Sequence, residues 1–324
     1  MLRVLSLCTL FPNPARPSLG QFVASSLQAV AARGDVDLVV VNPLGIPPWP
    51  LSLHPRYAKL RAIGATAQAG ALTVHHPRFT LIPKWGAASN PARIARTVLP
   101  LVRRLHAVQP FDLIDAQFFF PDGPAAARIS AALGLPLTIK ARGADIHHWG
   151  TGAKSGPQVL AAARQAAGLL AVSAALKADM IALGMIAPDM IAPGMPGERI
   201  VVHYTGLDHA RFRPTPRTDA RQAIAAQLGI PTDGPLLAAT GALIERKGQR
   251  LAIEALEQLG RDDVRLALAG TGDDESELRA LAQRLGLAAR VHFLGQVGHD
   301  RLPQLLAAAD AMVLPSASEG LANA

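Results

Sequence analysis

The sequence predicts an α/β protein built from two successive parallel-sheet halves, and three observations carry that prediction. Short apolar, β-branched runs alternate with longer stretches of helical period along the whole chain. The same alternation starts afresh after a turn-rich segment near residue 206. The 324 residues are half hydrophobic and only 17% charged, enough to bury two cores without disulfides or structural metals.

In the first half, the runs Val4–Thr9, Val36–Val41, Leu72–His75, Leu113–Ala116, Leu137–Lys140, Leu169–Ser173 and Ile200–His203 read as strands. Most are apolar on both faces, as a sheet covered by helices on each side requires. Helices are expected at Gln21–Ala32, Pro91–Ala107, Gly123–Leu133, Pro157–Ala167 and Ala174–Leu183, each with Gly, Pro or Asn near its ends. The second half repeats the pattern with strands Leu236–Thr240, Val264–Ala269, Val291–Leu294 and Ala311–Leu314 and helices Gln249–Leu259 and Glu275–Leu285. Gly206-Leu207-Asp208 and Arg213-Pro214-Thr215-Pro216 combine turn formers with prolines, which places the boundary between domains 1–205 and 206–324.

The N-terminal run Met1–Phe11 has one positive charge and stops at Pro12-Asn13-Pro14, so it reads as a buried strand rather than a signal peptide. No apolar stretch approaches the ~20 residues that span a bilayer, which predicts a cytoplasmic protein. The single cysteine, Cys8, excludes an intramolecular disulfide and reads as a core residue. The segment 179–185 recurs at 189–195, and the prolines around the second copy predict an exposed loop without assigned function.

Residues 1–199 hold 19 Lys+Arg against 9 Asp+Glu, whereas residues 200–324 hold 13 against 15. The excess on the first half suggests an anionic partner: nucleic acid, an acidic membrane or a phosphorylated substrate. Arginine outnumbers lysine 26 to 6, so coding bias is the bland alternative. Only 4% of residues are aromatic and no basic run is interleaved with them, which argues against nucleic acid. Arg93, Arg96, Arg103 and Arg104 alternate with Ile94, Val98, Leu101, Val102 and Leu105. That pattern predicts a helix docking on anionic membrane, or equally one that buries its apolar stripe in the core.

Three strand-to-loop transitions carry the candidate chemistry. Gly241–Gly248, GALIERKG, lies between a strand and a helix, so backbone N–H groups, a helix N-terminus, Arg246 and Lys247 can converge on an anion. It lacks the spacing of a Walker loop, and a solvated Arg-Lys pair is an equally good reading of the loop alone. Gly270-Thr271-Gly272-Asp273 follows the next strand, and Leu314–Leu321 follows another with Glu319. Open α/β sheets bind ligands at this edge.

The tandem halves, the Lys-Gly loop, the Gly-x-Gly turn, VHFLGQV at 291–297 and AADAMVLPSASEGL at 308–321 resemble the retaining, nucleotide-sugar-dependent glycosyltransferases of family four. Gly20-Gln21-Phe22, AVSAALKADM at 171–180 and TGLDHARFRP at 205–214 extend the resemblance over essentially the whole chain. It implies the GT-B fold, in which two Rossmann-like domains face across a cleft, the second here incomplete. The donor would be held mainly by the second half and the acceptor by the first. Catalytic roles fall on Lys247, Glu319 and Asp145. Lys247, helped by Arg246, would neutralise the departing nucleoside diphosphate. Gly20 would let its loop approach the phosphate and sugar, while Glu319 with the amides of Gly320 and Leu321 would hydrogen-bond the sugar or diphosphate. Gly241, Gly270 and Gly272 complete the donor loops, and the base would stack near Gln296 and Val297.

No Asp-x-Asp motif stands in the three candidate loops to hold a metal, so no metal or other cofactor is expected beyond the nucleotide-diphosphate sugar itself. The departures are Ala242, where the family often has Arg, and Arg142 and Gln117, where it often has His. Arg142 and His147 remain acceptor-side candidates, with His148 beside them. The resemblance implies sugar transfer to a glycan or lipid-linked acceptor in cell-envelope or exopolysaccharide synthesis, at the inner face of the cell membrane. A nucleotide-sugar epimerase or phosphorylase and a catalytically impaired nucleotide-binding fragment are the alternatives. The family's second glutamate would fall at position 327, past Ala324. With four strands in order 3-2-1-4 the second half would also leave Ala311–Leu314 as an open edge. A truncated enzyme of low activity is therefore expected.

Overall fold

A computed structural model of the chain describes residues 1–82, 84–185, 199–231, 233–298, 300–317 and 319–321. The backbone divides into two compact units, Met1–Gly206 and a second that begins at Leu207.

The first unit is built on β1 (Leu2–Leu7), α1 (Gln21–Ala31), β2 (Val36–Val41), β3 (Leu44–Ile46), α2 (Pro55–Arg61), β4 (Thr66–Ala69), β5 (Leu72–His75) and β6 (Arg78–Thr80). It continues through α3 (Asn90–Val108), β7 (Leu113–Ala116), α4 (Asp122–Leu133), β8 (Leu137–Ala141), α5 (Gly156–Gln165), β9 (Gly168–Ala171), α6 (Ala174–Ala182) and β10 (Ile200–Val202). Eight strands form one sheet in the order β10-β9-β8-β7-β1-β2-β5-β4, and β3 pairs with β6 in a separate two-stranded sheet. All pairings in the large sheet are parallel except β4 with β5. The central strands are buried from both sides: Leu5, Leu7, Ile114, Ile139 and Ala141 show no exposed area. Cys8 is fully buried in the core formed by β1, β2, β5 and α1.

The sequence places β1 two residues too late, because the ladder with β2 starts at Leu2 and ends at Leu7. The antiparallel edge strand β4 carries only Thr, Ala and Gln and so has no apolar signature. Helix α3 resolves the choice posed by its arginines. Ile94, Val98 and Val102 are fully buried, and the helix packs on α4 and β6 while Arg96, Arg103 and Arg104 face water. Its central apolar stripe packs on the core. The second repeat copy, 189–195, lies outside the described residues. Among the described residues no helix is long and apolar enough to cross a membrane.

The second unit contains α7 (Arg217–Leu228), β11 (Leu236–Thr240), α8 (Gln249–Gln258), β12 (Arg265–Ala269), α9 (Glu275–Arg284), β13 (Val291–Phe293), α10 (Leu302–Ala308) and β14 (Ala311–Met312). Its sheet is parallel in the order β13-β12-β11-β14. Alternate residues of β11 serve opposite faces. Leu236 and Ala238 join Ile224 of α7 and Leu305 of α10, whereas Ala239 joins Ile253, Leu256, Leu278 and Leu281 of α8 and α9. The segment read as linker around residue 213 thus leads directly into α7, a covering helix of the second sheet.

Candidate functional site

Because β11, β12 and β14 are parallel, the loops that follow them leave from one carboxyl edge. The loops are fitted backbone against backbone. A Cβ on Gly270 would lie 1.8 Å from the Gly241 carbonyl oxygen, and one on Gly248 would lie 2.2 Å from the Pro315 oxygen. Only glycine permits these approaches, and Gly272 sits equally close to Leu243. Leu243 N donates to Thr271 O at 3.1 Å, Ala317 N to Arg246 O at 2.9 Å, and Gly270 N to Gly295 O at 2.8 Å. Buried Gln249 fastens the first loop from α8 by donating to Ala242 O at 3.0 Å.

Lys247 and Glu319, 72 residues apart, meet in this loop cluster as an ion pair between Nζ and Oε1, with side chains only 19% and 22% exposed. The lysine stem lies over Gly241, 3.7 Å from where a Cβ would stand. Burial alone would raise the Glu319 pKa. The hydrogen bond from Lys247, the neighbouring Ser316 hydroxyl and the charges of Lys247 and Arg246 outweigh it and hold the carboxyl below its usual range. Helix α8 begins immediately after Lys247 and Gly248, so its N-terminal dipole adds to the lysine charge. The edge therefore offers a partly desolvated cation, an anchored carboxylate and a helix N-terminus, the set that a phosphate bearing a polyhydroxylated group requires. Gln296 is exposed on the turn after β13, and Val297 is half-buried against the α7–α10 core. Gly320 and Leu321 are half-buried beside Glu319 in the chain.

In the first unit the same edge holds a buried polar network. Asp145 has no exposed area, and its carboxylate accepts from the backbone N–H of Phe119 (2.9 Å), Arg142 (3.0 Å) and Gly143 (2.8 Å). Burial pushes its pKa up against those bonds. The oxygens of Asp145, the residue for which a catalytic role is expected, are turned into the loop they bind. Arg142 and Gln117, the two departures from the family pattern, form a single unit. The guanidinium donates to Gln117 O at 2.9 Å and to Gln117 Oε1 at 2.6 Å, and stacks over the Phe22 ring at 4.9 Å. Gly20 ends the β1–α1 loop with positive φ, and a Cβ there would lie 2.4 Å from the Leu10 oxygen. His147 is tied to α6 through Nε2 and Asp179 Oδ2 at 2.9 Å, while His148 packs edge-on to Trp149.

Three groups in this network escaped the sequence reading. Asp115 accepts from Ser6 Oγ (3.2 Å), Thr138 Oγ1 (3.0 Å) and Gln117 Nε2. Lys140, 4% exposed, meets His203 Nδ1 at 2.7 Å, and burial lowers its pKa to about 8. Asp122 accepts from Thr9 N at 3.0 Å and Thr9 Oγ1 at 2.7 Å, and burial raises its pKa to about 7. Apolar periodicity says nothing of such groups, because their partners come from other strands.

The Asp122 shift predicts a pH dependence. From its ordinary 3.8 up to about 7 the folded protein holds a proton that the unfolded chain has released, so this contribution to stability falls as pH rises through that window. Asp122→Asn, neutral throughout, should flatten the fall. Urea unfolding midpoints at about pH 5 and about pH 8 measure it, and equal losses in variant and parent would show that the carboxyl titrates normally.

Among the described residues no group of three or more His, Cys, Asp or Glu side chains is placed to hold a metal ion. The family model of the glycosyl transferases group 1 matches residues 220–324. Over 99% of this chain and 76% of the relative, the sequence is 28% identical to TuaC of Bacillus subtilis, whose name assigns it to teichuronic acid biosynthesis as a glycosyltransferase. Over 36% of this chain and 30% of the relative, it is 35% identical to a GDP-mannose-dependent phosphatidylinositol monomannoside mannosyltransferase of Corynebacterium glutamicum. Among solved structures, Anabaena HepE in complex with UDP and glucose superposes with a TM-score of 0.66 at 21% identity, covering 98% of this chain and 74% of that one. Sucrose-phosphate synthase from Thermosynechococcus elongatus gives 0.69 at 16% identity, covering 100% and 77%. The chain thus has the GT-B glycosyltransferase fold, with its match to the glycosyl transferases group 1 carried by residues 220–324.

Proposed function

We propose that the protein transfers a sugar, with retention, from a nucleotide-diphosphate donor to a glycan or lipid-linked acceptor in cell-envelope polysaccharide synthesis. The observation that carries this reading is the Lys247–Glu319 pair at the meeting of three glycine-fitted loops. The names of the relatives from Bacillus and Corynebacterium support the envelope-polymer and lipid-acceptor parts of it.

The chemistry is a leaving-group problem. As the bond from the anomeric carbon to the distal phosphate oxygen breaks, the diphosphate takes the electron pair and negative charge accumulates on it, while the acceptor hydroxyl oxygen bonds to the same face of that carbon and its proton passes to the departing phosphate oxygen. Lys247 exchanges Glu319 for this phosphate, and the α8 dipole reinforces the lysine. The released Glu319 accepts hydrogen bonds from donor-sugar hydroxyls. Arg246 is the second cation of the site, in place of the arginine that Ala242 does not supply. On the acceptor side, Asp145 fixes the loop that presents the Arg142–Gln117 unit.

Incubation with a panel of nucleotide sugars, followed by detection of released nucleoside diphosphate, tests the reading; turnover of none of them counts against it. Arg246→Ala is expected to reduce turnover by about tenfold, less than loss of Lys247, because it assists rather than leads. An effect equal to that of Lys247→Ala would give the two cations equal shares.

A further inference from the structure

We infer that the carboxyl edge of the first unit takes an anionic group of a sugar substrate, a carboxylate or a phosphate, through Lys140, His203 and Arg142. Only the sugar body of that ligand rests on the proposed transfer; the anion follows from the side chains themselves. Lys140 is the penultimate residue of β8 and is 4% exposed. Its Nζ meets Nδ1 of His203, the residue that follows β10, at 2.7 Å. His203 is exposed, and its backbone N–H is fixed to Ala171 O of β9 at 2.8 Å. The lysine therefore lies just beneath an imidazole that faces water. An ammonium taken out of water is stabilised by a facing carboxylate, and an imidazole supplies no negative charge. Burial and the Arg142 charge lower the Lys140 pKa to about 8, and burial and the Lys140 charge lower that of His203.

Arg142, two residues beyond Lys140, is also short of a counter-ion. Gln117 holds its Nε and Nη2, while Nη1 has no hydrogen-bond partner among the described residues. The acids of the same edge are committed elsewhere. Asp145 accepts from three backbone N–H groups, Asp115 from Ser6, Thr138 and Gln117, and Asp122 from Thr9. Among the described residues none of the three forms an ion pair with Lys140 or Arg142, and burial pushes all three carboxyls toward the neutral form. A methionine would fill the place of Lys140 at less cost to the fold, so the lysine is explained by something it binds. An anion entering beside His203 supplies the missing charge, restores the lysine toward its ordinary pKa and accepts charge-assisted hydrogen bonds from Nζ and Nη1. A neutral hydroxyl does none of this. An acidic sugar of the acceptor or of the donor presents the same group, and the probes below separate the two.

Calorimetric titration of the full chain with D-glucuronate, glucose 6-phosphate and D-glucose tests this. At least one acidic sugar is expected to bind at least about tenfold tighter than glucose, and the margin should shrink with added salt. Lys140→Met should remove the margin with an unfolding midpoint equal to the parent's or higher, because an uncompensated buried charge is lost. Arg142→Gln, which leaves Lys140 in place, should narrow the margin as well. Acidic-sugar binding that persists with UDP bound assigns the anion to the acceptor. UDP-glucuronate held more tightly than UDP-glucose, by a margin that Lys140→Met removes, assigns it to the donor. These titrations need no turnover, so failure of this site and failure of the proposed transfer are read separately. Equal affinity for acidic and neutral sugars, binding of none of them, or a Lys140→Met variant that binds like the parent would overturn the inference. So would acidic-sugar binding that is lost in Lys247→Ala and kept in Lys140→Met, since the anion would then lie in the second unit.

Discussion

Lys247→Ala is expected to lower kcat/KM for the nucleotide-sugar donor by about 30- to 1,000-fold, which corresponds to about 2–4 kcal/mol of transition-state stabilisation. The lysine is mostly buried, its charge is reinforced by the α8 N-terminus, and Arg246 next to it is the other cation of that loop. The substitution also leaves Glu319, itself only 22% exposed, facing the diphosphate without its counter-ion. Repulsion then adds to lost attraction. Lys247→Arg keeps the charge but not the reach along Gly241, and should recover part of the loss. Steady-state kinetics with circular dichroism as a control measures this. A variant that folds and turns over like the parent would remove Lys247 from the mechanism.

Gly270→Ala is expected to destabilise the second unit by about 3 kcal/mol or more and to abolish donor binding. Its φ is +154°, and the added Cβ would fall 1.8 Å from a backbone oxygen, that of Gly241. No rotamer change relieves a clash with backbone, so the β11 and β12 loops must part. Gly286→Ala is the matched control. It also has positive φ, +71°, but nothing lies within 4 Å of its Cβ position, so about 1 kcal/mol of backbone strain is all it should cost. Urea unfolding of the two variants side by side measures the difference. Equal destabilisation would mean that the loops are not fitted as described.

The contrast between these glycines shows what a sequence discloses. Buried parallel strands such as β2 and β11 announce themselves, because a strand covered on both faces is apolar at nearly every position. The turns after β11 and β12 are legible for the same reason: a glycine pair after such a run has few other uses. Helix α7 is not. Its prolines precede it, and among the described side chains only Ala220 and Ile224 are buried, too few to establish a period. β4 is hidden by its polar composition. In the functional edges, Lys247 and Glu319 could be named from a resemblance, but their pairing is a fact of tertiary structure. Asp145 is named from the resemblance, because its position matches; that its carboxylate accepts from three backbone N–H groups is visible only in the fold. Asp115, Asp122 and Lys140 gave no signal, since burial of a charge depends on partners brought from distant strands.

The central claim is that the second unit binds the diphosphate of a nucleotide sugar through Lys247. Calorimetric titration of the protein with a panel of nucleoside diphosphates, repeated on Lys247→Ala, tests it most directly. The account predicts that at least one nucleoside diphosphate binds and that the alanine variant weakens it by tenfold or more, about 1.4 kcal/mol or more. Binding of none of them, or binding of equal strength by parent and variant, would contradict it.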